Sequence, residues 1–84
     1  MSGDYFLLEK YLRALPVELE DVTLTFEGIE AILKESLPAA AREEDSWWEN
    51  QKPGLQVKTI AWMDAGWLVE IVDLSEKRVH FVRQ

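Results

Sequence analysis

Trp67-Leu68-Val69-Glu70-Ile71-Val72-Asp73-Leu74 and Val79-His80-Phe81-Val82-Arg83 are two runs rich in β-branched and aromatic residues. Ser75-Glu76-Lys77-Arg78 between them is polar throughout. Two such runs joined by a short polar link read as a β-hairpin, because the runs suit a pleated, half-buried surface and the link suits a turn. A hairpin alone cannot bury its apolar face. The residues before it must therefore supply the opposing layer.

Moving outward, Gln56–Ala65 fits two patterns. Val57, Thr59 and Ala61 alternate as in a strand, whereas Val57, Ile60, Ala61 and Asp64 recur at helical spacing. Gly66 stands where a helix stop belongs, and this favours the helix. Further upstream, Asp4–Leu15 reads as a first helix, with Tyr5, Leu8, Tyr11, Leu12 and Leu15 at helical spacing. Ser2 or Asp4 can cap it and Pro16 stops it. Val22-Thr23-Leu24 is a candidate short strand. Thr25 suits the N-cap of a second helix, Phe26–Glu35, with Phe26, Ile29, Ile32 and Leu33 on its core side. Gly28 interrupts that helix where Glu would complete a capping box. Leu37-Pro38 opens a third helix over Pro38–Asp45. The acidic end of that segment leaves open whether it stops there or runs on through Trp47-Trp48. Asn50-Gln51-Lys52-Pro53-Gly54 has the composition of a loop.

The order helix, short strand, helices and hairpin predicts an α+β fold. The expected form is a small winged-helix-like domain, with helices packed on a C-terminal β-hairpin and a short extra strand. At 84 residues the chain reads as a single domain over 1–84 with one core. All four tryptophans fall within 21 positions. Trp62 and Trp67 flank the start of the hairpin and are expected in the core with Phe26, Ile29, Leu33, Ile71 and Phe81. Trp47 and Trp48 point in different directions in any regular element, so one can be core while the other lines a surface.

Composition limits the function. Without cysteine there is neither disulfide nor thiolate metal site, which fits a reducing cytoplasm. No apolar run approaches the roughly 20 residues that span a bilayer, and Met1-Ser2-Gly3-Asp4 has no signal-peptide character. A soluble cytoplasmic protein without membrane contact is expected. The charge is uneven. Residues 1–50 carry 4 Lys/Arg and 12 Asp/Glu, a net of 4 − 12 = −8, and residues 51–84 carry 5 and 4, a net of +1. An acidic balance opposes non-specific affinity for nucleic acid, which comes mainly from neutralised phosphates. Its plain reading is a solvated, solubilising surface.

The inventory for catalysis is thin. His80 is the only histidine, so no metal-ligand spacing exists. Ser36, Ser46 and Ser75 sit in no nucleophile motif, and there is no glycine-rich phosphate loop. No enzyme, metal or cofactor is expected. A binding surface would draw on Arg42, Lys77 and Arg78 for phosphate, with Trp48 or Asn50 near a base. Arg83 extends the basic group at the hairpin. Each residue also has a plainer use, since Asn50 suits a turn or cap and Lys77-Arg78 an ordinary charged turn.

The chain resembles an uncharacterised family of small bacterial domains. The resemblance rests on Leu24-Thr25-Phe26-Glu27 running into Ile29-Glu30-Ala31-Ile32-Leu33, on Leu37-Pro38 and on Trp47-Trp48-Glu49-Asn50. It continues through Ala61-Trp62, Ala65-Gly66-Trp67-Leu68-Val69, Val72-Asp73-Leu74 and Val79-His80-Phe81-Val82-Arg83, covering nearly the whole chain. It implies a shared fold and no biochemical role. Relatives tend to carry Glu where Gly28 stands and to be more basic ahead of the Trp pair, where this chain has Arg42-Glu43-Glu44-Asp45-Ser46. The expected function is a small non-enzymatic binding domain, with nucleic acid the first ligand. The alternatives are an acidic protein–protein interaction module, or a nucleic-acid mimic that occupies a basic partner.

Overall fold

The structure, a computed structural model, describes residues 5–50 and 57–84. The caps expected of Ser2 and Asp4, and most of the loop expected over 50–54, lie outside the described residues. The elements run α1 (Tyr5–Arg13), β1 (Asp21–Thr25), α2 (Phe26–Leu33), α3 (Ala39–Glu43), a 3-10 turn (Asp45–Trp48), α4 (Val57–Asp64), β2 (Trp67–Asp73) and β3 (Arg78–Arg83). The fold is α+β, with helices on one face of a three-stranded antiparallel sheet in the order β1-β3-β2.

Helix α1 buries Leu8 and Leu12, one turn apart on the face toward α2 and α4. It stops two residues before the expected Leu15, because a residue preceding proline is pushed out of the helical region. Strand β1 turns Val22 and Leu24 inward opposite Phe81 and Val79, while Asp21, Thr23 and Thr25 face out. Thr25 ends the strand and caps α2 at once. Its extended backbone serves both roles, and its Oγ1 accepts the Gly28 N–H at 2.9 Å. The Phe26 N–H, one of the amides a helix start leaves unpaired, donates to the Lys77 carbonyl at 2.8 Å. This bond ties α2 to the hairpin turn.

Helix α2 ends at Leu33 rather than Glu35. Lys34 takes a left-handed conformation, φ 64°, and its N–H closes on the Glu30 carbonyl at 2.7 Å. Helix α3 is short. Glu44 is extended and breaks it, and the Trp pair lies in the separate 3-10 turn. Residues 57–64 are helical, as Gly66 suggested. Gly66 has φ +92°, and its N–H caps α4 on the Met63 carbonyl at 3.0 Å.

The core is aromatic. Phe26 stacks on Trp48 at 5.7 Å, Trp48 on Trp62 at 5.8 Å, and Trp62 meets Phe81 edge-on at 6.0 Å. This row runs from α2 through the 3-10 turn and α4 into the sheet. Trp67 is buried beside it, with Leu8, Leu12, Ile29, Leu33 and Val79. A buried indole N–H needs an acceptor. Trp48 donates to the Ala41 carbonyl at 2.9 Å and Trp67 to the Leu12 carbonyl at 3.2 Å.

One expected core residue is corrected. Ile71 is 59% exposed. Val69 pairs with Phe81 and Ile71 with His80, so Glu70 is an extra residue in β2, a β-bulge. The bulge resets the alternation. Ile71 turns to the outer face, and Val72 takes the inward place opposite Val79.

Candidate functional site

Asn50 follows the 3-10 turn and lies against the outer edge of β2. Its Oδ1 accepts the Trp62 indole N–H at 2.9 Å and the Val69 N–H at 2.8 Å, and its Nδ2 donates to the Val69 carbonyl at 2.8 Å. The amide thus pairs with Val69 as a neighbouring strand would, and it satisfies a buried indole with the same oxygen. Asn50 is neither a plain turn residue nor an open reader of a base edge. Trp48 is equally committed. Its ring is 1% exposed, sandwiched between Phe26 and Trp62, so no base can stack on it in this conformation. Trp47 is the half-buried member of the pair, packed against Tyr5 and Trp48.

The basic residues fare differently. Arg42, on α3, pairs with Glu30, on α2. The Leu37 backbone N–H, at 2.7 Å, and then the Arg42 guanidinium hold the Glu30 carboxyl below its ordinary value, against the cost of partial desolvation. Lys77 sits at the hairpin turn with φ 60°, and Arg78 opens β3 between Asp73 and Thr25. Both are exposed. Asp73 braces the turn by accepting the Glu76 N–H at 3.0 Å and the Ser75 hydroxyl at 3.1 Å, and the first of these bonds chiefly lowers its pKa. Arg83 is internal support. Its guanidinium stacks on Trp67 at 4.3 Å and donates to the Leu19 and Pro16 carbonyls at 2.9 and 2.8 Å.

Four of the five expected ligand residues meet in pairs, in two separate grooves. Arg42 and Lys77 line one groove of about 430 Å³ with Phe26, Glu27, Glu30 and Glu76. Its two cations face three carboxylates. Trp48 and Asn50 lie at the floor of another groove, of about 480 Å³, between the 3-10 turn and the β2 edge. Asp45, Ser46 and Glu49 form one wall and Glu70, Ile71 and Val72 the other. Among the described residues no lysine or arginine lines it.

Sequence reasoning missed a third cluster. On the outer face of the sheet, His80 lies between two carboxylates. Its Nε2 is 2.9 Å from Asp21 Oδ2 and its Nδ1 is 2.6 Å from Glu70 Oε1. The Asp21 and then the Glu70 carboxylate hold the imidazole pKa above its ordinary value, against partial burial. Each carboxylate comes from a different strand, and only the β1-β3-β2 order and the bulge bring them to one ring.

Among the described residues no helix is long and apolar enough to cross a membrane. No curated protein and no solved structure matches the chain. The sequence model of DUF7662, a domain of unknown function, matches residues 5–84, and the chain belongs to that family.

Proposed function

We propose that the domain is a non-enzymatic binding module of winged-helix layout whose ligand is nucleic acid, met by α4 and the β2–β3 turn. The observation that carries this reading is the strand order β1-β3-β2 with α4 leading directly into the hairpin. In that layout the last helix before the hairpin enters a groove and the turn lies along the phosphate backbone. Charge supports the same side. Lys77 and Arg78 are exposed at the turn, and residues 51–84 of the sequence hold all but four of the nine basic residues. Trp48, in the aromatic row, and Asn50, bonded to Trp62 and Val69, act as scaffold, and the Arg42–Glu30 pair fastens α3 to α2.

Fluorescence anisotropy with labelled random duplex and single-stranded oligonucleotides at low salt tests the reading. Binding that falls as salt rises, weakened about tenfold by Lys77→Glu with Arg78→Glu, is the expected result. No binding at low salt overturns it. The second reading is an acidic interaction module, favoured by the groove beside β2 that Asp45, Glu49 and Glu70 line.

A further inference from the structure

His80 meets a carboxylate on each ring nitrogen, Asp21 of β1 at Nε2 and Glu70 of β2 at Nδ1. A carboxylate accepts hydrogen bonds and donates none, so each contact needs an N–H on the ring. A neutral imidazole carries one N–H and an imidazolium two. The arrangement therefore fits the ring only in its charged form. With one proton gone, one carboxylate faces a bare nitrogen lone pair and must turn away. β1 and β2 are the strands that flank β3. Glu20 and Arg83 line the same hollow, of about 640 Å³, but the Arg83 guanidinium is turned to Trp67 and to the Leu19 and Pro16 carbonyls.

The backbone decides which carboxylate leaves. Asp21 stands in the β1–β3 ladder opposite Val82. Glu70 is the extra residue of the bulge, left out of the register between Val69 and Ile71. Its longer side chain is also among those that lose most rotamer freedom when held. We propose that His80 is a proton-operated clamp across the sheet: the charged ring ties β1 and β2 to β3 at once, and loss of its Nδ1 proton to water releases Glu70 while Nε2–H keeps Asp21. Because the two carboxylates hold the imidazole pKa above its ordinary 6.5, the clamp is closed at that pH and opens as pH rises through the folded pKa. Release changes what the outer face of the sheet presents. Ile71, 59% exposed and opposite His80, then lies beside a carboxylate free to turn, on a face with one more negative charge. The clamp is independent of which ligand the domain takes.

The test is nitrogen NMR of the whole labelled chain across the His80 titration, with amide hydrogen exchange on both sides of it. Below the midpoint both ring nitrogens should be protonated, and above it the ring should be the Nε2–H tautomer. Two amides report the two sides of the clamp. The Val69 N–H, bonded to Asn50, adjoins the bulge, and the Arg83 N–H, bonded to the Glu20 carbonyl, adjoins Asp21. Corrected for its intrinsic pH dependence, Val69 exchange should quicken about threefold across the midpoint, the scale of one partly exposed ion pair, while Arg83 exchange stays constant. Glu70→Gln supplies the control, because an amide can accept from the charged ring and donate to the bare Nδ1 of the neutral one. In that variant Val69 exchange should stay slow throughout and the ring pKa should fall. An Nδ1–H tautomer at high pH would make Asp21 the released group and overturn the proposal. So would Val69 exchange that ignores the titration, or equal quickening at Val69 and Arg83, which would mark a loss of overall stability instead of local release.

Discussion

Asn50 and Trp62 share one hydrogen bond, 2.9 Å from indole Nε1 to Oδ1, that fastens α4 to the edge of the sheet. The same oxygen holds Val69, so one short side chain joins the 3-10 turn, α4 and β2. Replacing Asn50 with Ala would leave a buried indole donor and an edge amide without their acceptor. An unpaired buried indole costs about 1–3 kcal/mol, a large fraction of the stability of a small domain, whereas the edge amide is exposed and can turn to water. Asn50→Ala should therefore lower the denaturant midpoint strongly and change Trp fluorescence. Asn50→Asp keeps the acceptor but sets a carboxylate oxygen against the Val69 carbonyl. It should be destabilised at neutral pH and partly recover as the carboxyl protonates. Urea melts of both variants at two pH values check this.

Trp67 ties the hairpin to the rest of the fold. It is fully buried, donates to Leu12 in α1 and carries the Arg83 guanidinium on its ring. Truncation of a buried Trp to Ala costs about 3–5 kcal/mol. Trp67→Ala should unfold or nearly unfold the domain. A denaturant midpoint near that of the parent protein would remove Trp67 from the core.

Gly28 has no second element against it. A Cβ built there would meet only the Thr25 Oγ1, at 3.1 Å. The cap hydroxyl must then yield by a few tenths of an ångström, while the helix gains up to about 1 kcal/mol in propensity. Gly28→Ala should raise the melting temperature slightly. A clear loss in thermal melts would show that the Thr25 cap cannot give way.

The His80 cluster makes stability depend on pH. Its folded pKa lies above the ordinary value of 6.5. The contribution is therefore fully present below about pH 6.5 and is lost as pH rises through the folded pKa. Glu30 and Asp73 act in the opposite sense. Their folded pKa values lie below the ordinary 4.5 and 3.8, so their contributions stand above those values and fade as pH falls. Stability should be greatest between these ranges. His80→Gln should abolish the decline on the alkaline side and leave the acid side intact, as melting temperature against pH would record.

The legible parts of the fold were the local ones. Thr25 before Phe26, the polar link between the two β-rich runs and the helix stop at Gly66 each depend on neighbours a few residues away. The core places of Trp62 and Trp67 follow from their position flanking the start of the hairpin. Ile71 was misplaced because a bulge belongs to the pairing of two strands and leaves no mark in the alternation of one. Asn50 was read as a turn or a base contact because its partner Val69 is nineteen residues on. His80 was read as a lone histidine because Asp21 stands 59 residues before it. Charge alone groups Arg42 with Lys77, and the two do line one groove, yet Glu27, Glu30 and Glu76 beside them are seen only once α2 and the turn are adjacent.

Amide NMR of the whole chain, titrated at low salt with a short random-sequence DNA duplex, tests the winged-helix reading most directly. The expected result is a set of shifts on α4 and on the turn at Lys77 and Arg78, reversed by added salt and lost with Lys77→Glu and Arg78→Glu. Absence of shifts at those positions, with the spectrum of the folded domain otherwise intact, would contradict it.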